Sequence, residues 1–209
     1  AFSSDGRIAA EHLTVLAGLT RGLQRRDGVV VLGALGFENA YALVMRPGRA
    51  AALGVRTLAD LAAEASRLTL GTDIEFPSRP EWRAVRGAYG LQFRDMRSYQ
   101  PTFMYRALAD GEADVISAFS SDGRIAAEHL TVLADPRHAL PPYDAVILLS
   151  PKRAGDRRLR QALRPLLGAI PVTAMRAANY SVDRDGDKLT PAAAARDLAR
   201  AIGLAGRRP

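Results

Sequence analysis

The sequence predicts an α/β fold with a largely parallel sheet. Short apolar runs rich in β-branched residues alternate with amphipathic segments of helical length, and glycine or proline stands at most of the boundaries. Two parallel strands must be joined by a crossover of a dozen or more residues, which is usually a helix. The alternation of strands with helices of ten or more residues therefore predicts this fold class.

The first half of the chain alternates between the two kinds of element. The run Val29–Leu32 lies between two glycines and is predicted to be a buried strand, and Tyr41–Met45 is a second strand closed by Pro47. Thr57 begins a helix that runs through Leu68, because Asp60 stands at the third position of a capping box. Further strands are predicted over 68–71 and 113–117, with helices from Pro80 to Gly87 or Gly90 and from Pro101 to Gly111.

The second half of the chain is predicted to be mainly helical. Apolar runs indicate strands over 130–133 and 145–149, separated by a proline-rich turn at 141–143. Helical segments follow over 155–168, 171–180 and 191–203. The change in character places a domain boundary near residues 120–130.

A perfect internal repeat sets this chain apart. Residues 1–17, AFSSDGRIAAEHLTVLA, recur letter for letter as residues 118–134, and the similarity does not continue beyond them. Repeat architectures carry many degenerate copies at short periods, which this pair does not resemble. Two interpretations stay open: a scar of duplication or assembly, or a functional strand–loop–strand used twice by a swapped or rebuilt lobe.

Composition and charge narrow the class of function. The chain is 48% hydrophobic and 24% charged, as expected of a globular protein, and has no cysteine for a disulfide or a thiolate site. Its formal charge of +7 comes almost entirely from arginines that are intermixed with acidic residues. A nucleic-acid surface would gather them on one face, so we expect no nucleic-acid partner. No apolar run reaches the ~18–20 residues of a membrane span, and no signal peptide is visible.

Motifs of catalysis and metal binding are missing from the sequence. It contains no HExxH, Walker A, GxSxG or GxGxxG pattern. His129 follows Glu128 directly, and in a strand two adjacent side chains point to opposite faces. The acidic run 183–187 resembles a calcium loop, but Ala194 stands where a bidentate Glu is required. We therefore expect a protein that is not an enzyme and holds neither a metal nor a cofactor.

Aromatic residues and one arginine stand at the ends of predicted strands. Tyr41 begins a strand, Arg79 lies in a loop just before a helix, Phe119 follows a strand, and Tyr143 follows a double proline. In α/β lobes, strand ends and the loops beyond them border the ligand crevice. Each aromatic side chain taken singly is more typical of the core. Together they predict a small pocket with aromatic walls and one fixed cation.

Four ordered segments resemble the glycine betaine/choline substrate-binding proteins of osmoprotectant ABC importers. That family shows the patterns F-N-N-T-Y-A-L, E-F-x-x-R-x-D-G, Y-S-T-D-G-R-I and P-P-Y in this order. The corresponding segments here are GFENAYALVM (36–45), EFPSRPEW (75–82), AFSSDGRIAAEHLTVLAD (118–135) and PPYDAV (141–146), with ALADGEADV (107–115) between them. Departures from the family patterns include Ala40 and Ser121, which replace threonines, and Phe119, which replaces a tyrosine.

The resemblance implies a type II periplasmic-binding-protein-like fold of two α/β lobes, one of which is incomplete. The segment that opens the family's first lobe is absent, and the first repeat copy stands in its place. The implied domains are a duplicated segment (1–17), the end of the first lobe with its crossover (18–35), a contiguous ligand-binding lobe (36–118), and a crossover with the returning part of the first lobe (119–209).

The resemblance also implies roles for individual side chains. A trimethylammonium group cannot donate hydrogen bonds, so aromatic ring faces must hold it. Tyr41, Phe119 and Tyr143 are the implied cage, and Arg79 is the implied partner of a ligand carboxylate. Ser121 and Asn39 are expected to add hydrogen bonds.

The implied function is that of a periplasmic or otherwise extracytoplasmic solute-binding protein of an ABC importer. It would bind glycine betaine, choline or a similar quaternary ammonium solute between its lobes and pass it to the transmembrane permease subunit. The alternative is the effector-binding domain of a transcription regulator with a related two-lobe fold. Because a half-built lobe leaves an open sheet edge, we further expect residues 1–17 to pair with that edge, within one chain or in a domain-swapped homodimer. Because the missing segment of the family holds part of the cage, we expect the truncated chain to bind ligand weakly or not at all.

Overall fold

The computed structural model describes residue 22 and residues 25–204, which form two sheets of unequal size. The larger sheet has five strands in the order β4-β3-β5-β2-β6 and the smaller sheet pairs β1 with β7. The strands are β1 (Val30–Glu38), β2 (Tyr41–Met45), β3 (Thr69–Thr72), β4 (Asp95–Ser98), β5 (Val115–Phe119), β6 (Thr131–Val132) and β7 (Asp144–Leu149).

Helices cover both faces of the larger sheet and follow the smaller one. They are α1 (Pro47–Leu53), α2 (Leu58–Glu64), α3 (Pro80–Tyr89), α4 (Pro101–Asp110), α5 (Gly123–Ala127), α6 (Arg157–Leu163), α7 (Val172–Asp183) and α8 (Pro191–Ala201). Short 3₁₀ turns at Ala65–Arg67, Phe76–Ser78 and Arg164–Leu166 extend or precede some of them. In the part of the chain that the structure describes, every helix is too short or too polar to cross a membrane.

The larger sheet is mixed, and the prediction of a largely parallel sheet is wrong. Strand β3 runs parallel to β4 and β5, whereas β2 runs antiparallel to β5 and β6. The reason is the path by which the chain enters and leaves the larger sheet. It comes from the smaller sheet into β2, so β2 runs away from the junction and β5 runs back toward it.

This arrangement gathers particular strand ends at one edge of the larger sheet. The carboxyl ends of β3, β4 and β5 meet the amino end of β2, and Tyr41 stands directly opposite Phe119 in the β2–β5 register. Strand ends of this kind border the ligand crevice of open α/β sheets.

The hydrophobic core lies on both faces of the larger sheet, and β2 contributes to both. Leu43 and Met45 pack with α2 and α3 residues in one cluster, while Ala42 and Val44 pack with α4 residues in the other. This alternation follows from the two-residue period of a strand. All five residues of β2 are buried, which explains why this strand is a continuous apolar run in the sequence.

Several elements differ from the sequence prediction for identifiable physical reasons. The capping box of Thr57 and Asp60 is present, but α2 ends at Glu64 and continues only as a 3₁₀ turn. Strand β1 extends to Glu38, well past the predicted end at Leu32. Helices α1 and α5 and strand β4 were not predicted. The two helices have only seven and five residues, and β4 (DMRS) is a polar edge strand without apolar alternation.

The chain passes between the two sheets through two adjacent segments. Glu38 pairs with Asp144, and the Asn39 N–H donates to the Tyr143 carbonyl at 3.0 Å. Helix α5 packs closely on α7, which adds a second link. Strand β6 belongs to the larger sheet although it lies beyond residue 118. The division of the chain into domains stays a prediction, and residues 1–17, with their expected edge pairing, lie outside the described residues.

Candidate functional site

A cleft of about 400 Å³ opens at the edge where the strand ends of the larger sheet meet. Strands β2 and β5 contribute Tyr41 and Phe119, and the loop after β3 contributes three residues in succession from Asp73. The complete lining is Tyr41, Asp73, Ile74, Glu75, Arg79, Tyr99, Pro101, Met104, Tyr105, Ser117, Ala118, Phe119 and Asp122. Three of the six predicted ligand-binding residues are therefore brought together here.

Tyr41 and Phe119 form the aromatic wall of the cleft. Their ring centroids lie 4.5 Å apart with a 32° angle between the planes. Tyr41 is 7% exposed, whereas Phe119 is 40% exposed. Burial, followed by the negative charge of Asp73, raises the pKa of Tyr41, so its hydroxyl stays protonated. Of the two rings, that of Phe119 is therefore the more accessible to solvent.

A line of aromatic contacts leads from this wall into the core. The Tyr41 ring lies 4.8 Å from that of Phe76, which lies 5.7 Å from Trp82, and Trp82 in turn lies 6.2 Å from Phe93. Tilted aromatic pairs at these separations are favourable beyond the area that they bury. Phe76 and Trp82 are buried, so the wall of the cleft rests on a rigid support.

Arg79 supplies the cation of the cleft. It is the residue before α3, where Pro80 occupies the first helical position, so its place is fixed by the helix start. Its guanidinium forms an ion pair with Glu75, four residues earlier. The hydrogen bond and charge of Glu75 raise the pKa of Arg79, with a smaller contribution from Tyr41. The predicted cation is therefore in the cleft, but a carboxylate of the same loop is already bound to it.

A partly buried hydrogen-bonded pair, Tyr105 with Asp122, also lines the cleft and was not predicted. The Tyr105 hydroxyl of α4 donates to Asp122 Oδ2 at 2.7 Å. Burial and the nearby charge of Asp122 raise the pKa of Tyr105 far above its ordinary value. Asp122 also begins α5 by accepting the Arg124 N–H at 2.9 Å, and the Arg124 guanidinium lies 5.3 Å from the Tyr105 ring centroid.

Three predicted site residues do not line the cleft in this structure. The buried Ser121 hydroxyl donates to Asn39 Oδ1 at 2.5 Å, beside the segment that joins the two sheets. The Tyr143 hydroxyl donates to Glu81 of α3, and this hydrogen bond raises the pKa of Tyr143. All three lie next to the junction between the sheets, and their contact with a ligand stays a prediction.

Two of the lining residues that were not predicted stand at strand ends, where the ligand crevice of such sheets is expected. Asp73 comes directly after β3 and Tyr99 directly after β4, so both stand at strand ends. Tyr99 could not be found because β4 itself was not predicted. Met104 and Tyr105 line the cleft from α4 and also belong to the core, so their sequence pattern does not mark them as site residues. In the described part of the chain, no group of three or more His, Cys, Asp or Glu residues is arranged to hold a metal ion.

Comparison with known proteins identifies the family to which this architecture corresponds. The family model for the substrate-binding domain of an ABC-type glycine betaine transport system matches residues 8–201. This range includes the strands and loops that build the cleft. The resemblance seen in the four sequence segments is therefore confirmed.

Individual relatives agree with the family match. The carnitine transport binding protein of Listeria monocytogenes is 29% identical over 171 residues, covering 80% of this chain and 56% of that protein. The glycine-betaine-binding protein of Pseudomonas aeruginosa is 30% identical over 192 residues, covering 85% of this chain and 61% of that protein. The chain thus spans somewhat more than half the length of these relatives. They are transport proteins, so the comparisons do not favour the transcription-regulator interpretation.

The fold agrees with solved structures of the same group. The crystal structure of a glycine betaine/carnitine/choline ABC transporter superposes with a TM-score of 0.81 at 28% identity, covering 90% of this chain and 69% of that one. The predicted type II periplasmic-binding-protein fold is confirmed. The partial coverage fits the prediction that one of the two lobes is incomplete.

Proposed function

The chain belongs to the family of substrate-binding domains of ABC-type glycine betaine transport systems, and we propose that its cleft binds a small quaternary ammonium solute. The observation that carries this proposal is the pairing of Tyr41 with Phe119, 4.5 Å apart at the mouth of a cleft that also holds Arg79. Glycine betaine, choline and related methylated amines are the solutes that fit this chemistry.

The chemistry of the ligand explains why such walls are needed. A trimethylammonium group carries a charge but no N–H donor, so hydrogen-bond acceptors cannot select it. The negative face of an aromatic ring attracts the charge and packs against the methyl groups, at ~0.5–2 kcal/mol per ring. Tyr41 and Phe119 supply two such rings. Tyr143, at the junction of the sheets, is the proposed third ring, which would reach the ligand when the lobes close.

A zwitterionic ligand would also use the polar side of the cleft. Arg79 presents a planar guanidinium that suits a carboxylate, provided that Glu75 gives way. Asn39 and Ser121 lie beside the junction and are the proposed additional hydrogen-bonding groups. The protein is proposed to act by binding and release rather than by catalysis. Its location would be periplasmic or otherwise extracytoplasmic, where it would hand the solute to the transmembrane permease subunit.

Binding is best tested by NMR, because it detects weak affinities in a chain of 22.4 kDa. ¹⁵N-labelled protein is titrated with glycine betaine and choline to millimolar concentration, with glycine and ethanolamine as unmethylated controls. We expect the amides around 73–79 and 117–122 to shift with the methylated ligands and to respond far less to the controls. Equal responses to methylated and unmethylated ligands would contradict the proposal.

A matched pair of variants locates the binding site. Phe119 and Phe103 are both exposed phenylalanines, at 40% and 57%, but only Phe119 lines the cleft. Phe119→Ala should weaken binding of both methylated ligands about two- to thirtyfold, the value of one ring face. Phe103→Ala should leave binding unchanged. Loss of affinity in Phe103→Ala with none in Phe119→Ala would move the site elsewhere.

A further inference from the structure

The charged side chains of the cleft are already engaged by groups of the protein itself. Among the lining residues that the structure describes, Arg79 is the one cation, and the anions are Asp73, Glu75 and Asp122. Asp73 Oδ1 accepts the backbone N–H groups of Glu75 and Phe76, both at 2.8 Å. These two contacts hold the Asp73 carboxylate to the loop that follows β3.

Asp122 is bound in a similar way. It accepts the Tyr105 hydroxyl and the Arg124 N–H, and its charge also acts on the Arg176 guanidinium. Both of these carboxylates are therefore occupied by the protein itself. The remaining pair is Glu75 with Arg79, the group that a ligand carboxylate would need.

The Glu75–Arg79 pair differs from the others because it can open without moving the backbone. The Glu75 N–H is bound by Asp73, and its carbonyl accepts the Ser78 N–H at 3.0 Å and the Ser78 hydroxyl at 2.8 Å. The two paired side chains, in contrast, are 68% and 47% exposed. Separating them requires rotation of two side chains in a loop that otherwise stays fixed.

We infer that Glu75 is a specificity-determining residue, which occupies Arg79 and so competes with the carboxylate of a zwitterionic ligand. A cationic ligand such as choline has no carboxylate and does not need Arg79. A betaine must displace Glu75 before it can use the guanidinium. The inference rests on the proposed function. Compared with the same cleft lacking the Glu75 carboxylate, the cleft with Glu75 should bind cationic quaternary ammonium ligands better relative to zwitterionic ones.

The size of the effect follows from the exposure of the pair. An exposed ion pair is worth ~0.2–1 kcal/mol, which corresponds to a change of up to about fivefold in a dissociation constant. Glu75→Gln keeps the shape of the side chain and removes its charge. The ratio of the glycine betaine Kd to the choline Kd should therefore fall about two- to fivefold in this variant.

The chain provides a matched control for the loss of one charge. Glu64 of α2 forms an ion pair with Arg67 on the same lobe but does not line the cleft. Glu64→Gln therefore removes one carboxylate and breaks one ion pair outside the site. The ratio of the two dissociation constants, measured by NMR titration at fixed ionic strength, should stay at the wild-type value.

A double variant separates competition from simple repulsion. If Glu75 acts through Arg79, the Glu75→Gln effect on the ratio should shrink to less than half in an Arg79→Ala background. An unchanged ratio in Glu75→Gln, or an equal shift in both backgrounds, would overturn the inference while leaving the proposed function intact. Failure of the wild-type chain to bind either ligand would overturn the proposed function, and the inference with it.

Discussion

Among the described glycines, Gly123 is the position at which an added methyl group should destabilise the fold most. It is the buried first residue of α5, where that helix meets α7. A Cβ added there would lie 2.4 Å from the Tyr180 nitrogen, 2.5 Å from the Tyr180 Cβ and 2.6 Å from the Arg176 carbonyl oxygen. These atoms belong to the backbone of α7 or are attached directly to it. They cannot turn away, so one helix must move.

The cost of that movement can be worked out from the contacts. Overpacking a filled site costs ~1–3 kcal/mol. Separating the helices would also stretch the hydrogen bond from Arg176 Nε to the Ser120 carbonyl, which is 2.7 Å long. Such a bond from a charged group is worth ~1.5–3 kcal/mol. Gly123→Ala should therefore lower the free energy of unfolding by about 2.5–6 kcal/mol and lower Tm by about 5–20 °C.

The assay is thermal and urea unfolding followed by circular dichroism, with a glycine in open space as the control. Gly87 lies in the exposed part of α3 and has no atom within 4 Å of an added Cβ. Gly87→Ala should raise stability by about 0.5–1 kcal/mol, because glycine is a poor helix former. An unchanged Tm in Gly123→Ala would refute the close packing of α5 on α7 and the reasoning built on it.

Further predictions concern the ligand, the pH dependence and the repeat. Arg79→Ala should weaken the binding of glycine betaine about tenfold more than that of choline, because choline has no carboxylate to pair with the guanidinium. Tyr41→Leu should weaken the binding of both ligands alike. Equal losses of affinity in Arg79→Ala would show that Arg79 has a structural role. Burial and the hydrogen bond to Asp135 raise the pKa of Tyr89 to about 12. The unfolded chain therefore releases this proton first, near pH 10, and stability falls as pH rises toward 12. In urea unfolding across this range, Tyr89→Phe should flatten the fall by on the order of 2 kcal/mol. Deleting residues 1–17 should convert a dimer into a monomer by light scattering if they pair with a second chain, or lower Tm if they pair within their own chain. A monomer in both cases with an unchanged Tm would identify the first copy as an inert tail.

The sequence predicted those elements whose signals are local. Thr57 with Asp60 fixed a helix start, and Pro80, Pro101 and Pro191 stand at the first positions of their helices. Strand direction was not predictable in this way. A run such as Tyr41–Met45 has the same composition whichever way it runs, and its direction depends on where the chain crosses between the sheets.

The site was predicted in part for a similar reason. Tyr41, Arg79 and Phe119 stand at strand or helix ends, and the structure places all three in one cleft. The pairing of Arg79 with Glu75 depends on the 3₁₀ turn between them, which brings the two side chains together. The Tyr105–Asp122 pair joins two elements, of which α5 was too short to be recognised. Such contacts between distant segments arise from the assembled sheet and leave no local signal.

The aromatic contacts behind the cleft also include a fluorescent side chain. The chain has a single tryptophan, Trp82, which excitation near the red edge of protein absorption selects from the tyrosines. Trp82 is separated from the ligand wall by one ring, that of Phe76. Its emission thus arises from one buried position behind the Tyr41 wall. We therefore expect a ligand that shifts the Tyr41 ring to change the Trp82 emission, so that cleft occupancy can be followed without any attached dye.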